Sequence, residues 1–158
     1  MNNKKTPIII AVAVALLLLG LFMIPKFTNP SRGSVAAWKE AGIECLTGGH
    51  QRLAQHFHSK LAIVVDGLQE VIPANVGLVN NCMAEIHTHD TTGALHVEAL
   101  AANKIRRLKD FFTVWGKSIN RDGYGLIMTV NGQPNFELGE LILKDAQQIV
   151  LEYASNLQ

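Results

Sequence analysis

Three histidines, two carboxylates and a glycine fall within the twelve residues His87–Glu98, HTHDTTGALHVE. Neutral imidazole is the commonest protein ligand for metals, and a carboxylate joins it around zinc, copper, iron or manganese. Side chains two residues apart on a β-strand point the same way, so His87 and His89 share one face, as do His96 and Glu98. A hairpin turning at TTG sets the two pairs side by side, and an aligned register brings three imidazoles and a carboxylate to one surface. A second doublet, His56 and His58 in HFHSKLAIVVDG, leads into a strand that supplies further ligands if it pairs beside the hairpin. Of the chain's six histidines, only His50 stands outside this spacing of two.

Each of these residues also has an ordinary role. A single H-x-H on a strand is common on exposed faces; three doublets in a chain with six histidines weigh toward a metal. Asp90 either caps the TTG turn through an Asx hydrogen bond or accepts an imidazole N–H and so orients a ligating histidine. Glu98 is a ligand, a general base beside a metal-bound water, or a solvated strand residue. Known histidine motifs fit poorly. H-x-H-x-D-H of the metallo-β-lactamases needs Asp and His where Thr91 and Thr92 stand. The JAMM-type metallopeptidase pattern matches at His87, Thr88 and His89, but Asp90 replaces its Pro, Glu98 its Ser and Ala101 its metal-binding Asp. A cupin glutamate is missing after His89, where Gly93 and Ala94 stand, and after His58, where Ala62 and Ile63 stand.

The elements that must position these residues are readable from pattern. VAAWKEAGIECL has helical spacing, with Ala36, Trp38 and Ile43 on a candidate buried side and Gly48-Gly49 as its end. LAIVVDG is a β-branched run stopped by Asp66-Gly67, a hairpin turn, and LQEVIPANVGL returns until Pro73 interrupts it. CMAEIHTHD and ALHVEAL flank the histidine turn. RRLKDFFTVWGKSI places Leu108, Phe111, Phe112, Trp115 and Ile119 at helical spacing, and the C-terminal YGLIMTVNGQPN and GELILKDAQQIVLEY predict two or three strands around an Asn131-Gly132 turn. The fold expected is mainly β (α+β): one antiparallel β-rich domain with one or two helices, its C-terminal part similar to the end of a β-grasp sheet.

Ahead of that domain, PIIIAVAVALLLLGLFMIP runs from Pro7 to Pro25 without a charge, long enough to cross most of a hydrocarbon core of about 30 Å. It is longer than the apolar region of a signal peptide and lacks a small-residue cleavage site, so it reads as an uncleaved anchor. Lys4 and Lys5 place the N-terminus in the cytoplasm, although Lys26 and Arg32 weaken the asymmetry. The organisation expected is a cytoplasmic tip and transmembrane anchor over 1–25, a linker over 26–34, and an extracytoplasmic domain over 35–158. With a net charge of +1 over 158 residues and no basic stripe, nothing points to nucleic acid. Outside the cytoplasm the two cysteines, Cys45 and Cys82, have three readings: a disulfide, two buried thiols, or Cys82 as a soft metal ligand five residues before His87.

The segments HFHSKLAIVVDG, IPANVGL, IHTHDTTGALHVEA, LKDFFTVWGK, VNGQPN and LKDAQQIVLEY occur in that order between residues 50 and 153. In this succession the chain resembles a family of mostly uncharacterised, membrane-anchored proteins of bacteria and archaea. The resemblance implies an extracytoplasmic β-rich domain on an N-terminal anchor and brings no established activity. The expectation is a membrane-anchored module that binds a transition metal, copper or zinc, through His56, His58, His87, His89, His96 and Glu98, for a membrane-protein partner. The competing expectations are a metal-dependent enzyme activating water or oxygen, and a metal-free interaction subunit.

Overall fold

A computed structural model describes residues 33–156. The anchor expected over 1–25 lies outside the described residues, as does most of the linker expected over 26–34. No helix among the described residues is long and apolar enough to cross a membrane.

The described residues begin at the end of the expected linker. The Gly33 amide donates to the Val114 carbonyl (3.0 Å), and the Ser34 hydroxyl accepts from the Ala37 amide, capping helix α1 (Val35–Glu40). Trp38 is buried, but Ala36 is exposed, and the helix stops at Ala41 and Gly42 rather than at Gly48-Gly49. Gly42 takes a left-handed φ of 70° there, and the chain then extends into β1 (Cys45–Leu46).

Strand β2 (Gln55–Val65) turns at Asp66-Gly67, both at positive φ (48° and 81°), into β3 (Leu68–Glu70), as an Asp-Gly hairpin requires. Four short strands follow: β4 (Leu78–Val79), β5 (Cys82–Ala84), β6 (Ile86–His87) and β7 (Ala94–Ala99). Then come helix α2 (Leu108–Trp115), β8 (Tyr124–Val130), β9 (Gln133–Asn135), a 3-10 turn at Leu138–Glu140, and β10 (Gln148–Ser155). Helix α2 closes on Gly116 in the left-handed region.

The strands form a small sheet, β1-β5-β4, and a curled seven-stranded sheet in the order β6-β7-β2-β10-β8-β9, with β3 also paired to β2. The antiparallel sheet expected from the sequence is in fact mixed: β10 lies parallel to β2, from Lys60 opposite Gln148 to Val65 opposite Tyr153. Alternation in QIVLEY buries Ile149, Leu151 and Tyr153 and so marks a strand, but alternation carries no information about the direction of its neighbour.

Leu61 and Ile63 of β2, Leu95 and Val97 of β7, and Ile149 and Leu151 of β10 form one apolar layer with Leu108, Phe111, Phe112 and Trp115 of α2. The strand residues between them point to the other side of the sheet. On β2 and β7 that other side carries His56, His58, His96 and Glu98.

Candidate metal centre

Register decides which histidines meet. His58 pairs with His96 across β2 and β7, His96 pairs with His87 across β7 and β6, and His56 pairs with Glu98. Three imidazoles therefore lie in one row across three strands, and His89 follows two residues after His87. His50 joins them from the loop between β1 and β2, its ring 5.5 Å from that of His89 and 6.4 Å from that of His56. All six histidines of the chain thus occupy one patch.

Within the patch are two groups of three imidazoles able to hold a metal ion: His56, His58 and His96, and His87, His89 and His96. In the first, His58 Nε2 lies 3.0 Å from His96 Nδ1 and 3.1 Å from His56 Nε2. In the second, the Nε2 atoms of His87 and His89 are 3.1 Å apart. Two nitrogens bound to one zinc at about 2.0–2.1 Å stand about 3.3 Å apart at the tetrahedral angle and about 2.9 Å apart at a right angle. The observed spacings fall in that interval. Hydrogen bonding serves His58 less well. A ring nitrogen offers either one N–H or one lone pair, so Nε2 can make one good bond and has two neighbours.

The surroundings hold the ligands in ligating form. His87 is fully buried, and its Nδ1–H donates to the Ala84 carbonyl (2.9 Å), which leaves the lone pair on Nε2. Thr88, between His87 and His89, is locked to the IPANVG loop: its hydroxyl donates to the Pro73 carbonyl (2.8 Å) and accepts from the Val76 amide (3.1 Å). That loop comes so close that a Cβ on Gly77 would lie 2.9 Å from the His87 Cβ, at a φ of 84°. Gly93 lets the histidine turn approach β2 in the same way; its carbonyl accepts from the Leu61 amide, and a Cβ there would meet the Leu61 carbonyl oxygen at 2.2 Å.

The electrostatics favour neutral rings. Burial, reinforced by neighbouring imidazoles, lowers the pKa of His87 to about 3 and that of His96 to about 4. Both rings are uncharged at neutral pH, so a metal ion there meets a neutral imidazole and not an imidazolium. Glu98 is fully buried and faces histidines: His50 Nδ1 lies 3.0 Å from each carboxylate oxygen, and His56 Nε2 lies 3.3 Å from Oε1. With its Nδ1–H given to Glu98, His50 presents Nε2 as a further ligand atom.

The structure brings His56, His58, His87, His89, His96 and Glu98 together. It also selects among the alternatives that the sequence left open for Glu98, Asp90 and Cys82. Glu98 is not a solvated strand residue. Asp90 is exposed and turned away to Thr92, whose amide and hydroxyl donate to its Oδ1 at 2.8 and 2.6 Å, so it caps the turn instead of supporting a ligand. Cys45 and Cys82 are joined in a disulfide, which removes Cys82 as a ligand. His50 belongs to the patch although its spacing gave no sign of it. The one hint is that Cys45 and Cys82 each lie five residues before a histidine, His50 and His87, so their bond brings the two segments together. No family model, curated protein or solved structure matches the chain.

Proposed function

We propose that the domain is a transition-metal-binding module for copper or zinc, carried outside the cytoplasm on an N-terminal membrane anchor. It stores, delivers or senses the ion, or serves a membrane complex as an accessory subunit. The observation that supports this reading is the convergence of every histidine in the chain on one patch, with ring nitrogens 3.0–3.1 Å apart. Imidazole-only ligation suits zinc and copper better than magnesium or calcium, which prefer oxygen. His56 and His58 are exposed, which fits an ion that is taken up and passed on.

One observation favours a second reading. A buried carboxylate against an imidazole, Glu98 with His50, is an arrangement that could move a proton at a metal-bound water, as a metal-dependent hydrolytic or oxidative enzyme requires. Coordination separates the two: an enzyme keeps a water or vacant position on the ion, and a closed sphere of protein ligands counts against catalysis.

The deciding experiment is elemental analysis of the full chain without a histidine tag, purified in detergent from an oxidising compartment, beside the His87→Ala/His89→Ala variant. Copper or zinc in the wild type that is reduced in a variant with unchanged circular dichroism supports the proposal. Neither ion in the wild type, after reconstitution with each, refutes it and leaves a metal-free interaction subunit.

A further inference from the structure

The two imidazole groups differ in depth. His87 is fully buried with His89 half-buried, whereas His56 and His58 are both exposed. They share one residue, His96, which sits in the row between His58 on one neighbouring strand and His87 on the other. Its Nδ1 is already on the His58 side, 3.0 Å from Nε2 of that residue. In an imidazole, Nδ1 and Nε2 flank Cε1 and their in-plane lone pairs diverge, so with Nδ1 turned to His58 the Nε2 position faces away from it. The ring stacks on His87 at 5.3 Å and 17° between planes, and stands edge-on to His89 at 4.6 Å and 78°.

From this arrangement we infer, building on the metal-binding reading above, that the patch holds two transition-metal ions at once. The inner ion is held by His87 and His89, the outer ion by His56 and His58, and His96 ligates both. One tridentate centre cannot use all of these nitrogens, and each three-histidine group is itself the ligand set of an open zinc site. When the second ion binds, His96 gives up its remaining N–H proton to solvent and bridges as an imidazolate. That negative charge and the buried carboxylate of Glu98, 3.3 Å from His56 Nε2 and 4.0 Å from His96 Nδ1, offset the repulsion between the two cations. The difference in depth assigns the roles: the outer ion exchanges with solvent and the inner one is retained.

Equilibrium dialysis of the full chain in detergent against zinc(II), read by elemental analysis, tests the inference. The wild type binds two ions per chain. His56→Gln/His58→Gln, at exposed positions where folding is undisturbed, binds one, and so does His87→Gln/His89→Gln. His96→Gln weakens both. Brief exposure to a weak chelator strips one ion from the wild type and none from the outer-pair variant. A wild type that binds a single ion, lost equally with either pair, overturns the two-ion arrangement and leaves the metal-binding module standing. A wild type that binds no zinc(II) or copper(II) overturns both.

Discussion

Two clusters of polar side chains, each centred on a buried carboxylate, stand in this small domain, and they are built on opposite principles. In one, the Glu85 carboxylate meets the Arg106 guanidinium and accepts from the Glu44 amide (2.8 Å). Lys104 stands 3.5 Å from Glu85 and 2.6 Å from Glu44, and Asp110 lies 3.8 Å from Arg106. Positive and negative groups alternate, so the charges compensate one another, although Glu85 Oε1 and Arg106 Nε make no hydrogen bond. In the other cluster, six imidazoles gather around a single carboxylate, Glu98, with no Lys or Arg among them. A charge-matched network explains its own burial; a gathering of imidazoles could hold a metal ion. The first is therefore expected to govern stability and the second to govern metal content.

Separating the two roles by substitution gives the largest effect first. Arg106→Met leaves Glu85 buried without its main partner, and loss of one member of such a pair costs about 3–5 kcal/mol. Urea unfolding should show that loss while zinc bound per folded chain stays at the wild-type value. At free zinc one hundred times the Kd of each site, each bound ion should add about 2.7 kcal/mol, so the wild type and Arg106→Met gain from two ions and His87→Ala/His89→Ala from one. Equal gains in all three proteins would erase the distinction.

A smaller effect, about 1–2 kcal/mol, is expected for Thr88→Val, which strands the Val76 amide and the Pro73 carbonyl. It should also weaken zinc binding, because His87 and His89 flank that residue. A change in stability with unaltered zinc affinity would assign Thr88 to the fold alone.

Acid should expose the least conspicuous difference. Below pH 6.5 the unfolded chain protonates the rings of His87 and His96, whereas the folded metal-free protein does so only near pH 3 and pH 4. The unfolded state then holds more protons, so stability falls as pH drops from 6.5 toward 4. Urea midpoints between pH 7 and pH 4.5 should decline less steeply in His87→Ala/His96→Ala than in the wild type.

What could be read from the sequence followed from local chemistry. The spacing of two put His87 with His89 and His56 with His58 on common faces, the Asp66-Gly67 and Asn131-Gly132 dipeptides marked turns, and the apolar spacing from Leu108 to Trp115 marked helix α2. Non-local facts were not legible. Nothing in QIVLEY says that its strand runs parallel to β2. His50 has no partner at strand spacing; it reaches the patch because a loop tied down by Cys45 lies beside the strand that follows Cys82. The stop of α1 at Gly42, ahead of the more conspicuous Gly48-Gly49, was not legible from glycine content, since Gly42 and Gly49 both take a positive φ, 70° and 59°.

The IPANVG loop that holds Thr88 also shapes how the molecule meets other chains. Strand β6, which carries His87, is an edge of the large sheet and only two residues long. The loop lies along it: the Val76 carbonyl takes the Thr88 amide at 3.0 Å and the Gly77 carbonyl takes the Ala84 amide at 2.8 Å. Backbone groups that an incoming strand would use are already spent. The opposite edge, β9, is three residues long with Pro134 at its centre, which cannot donate to a neighbour. These two ends of the strand order are thus poorly suited to strand addition, which guards against edge-to-edge aggregation.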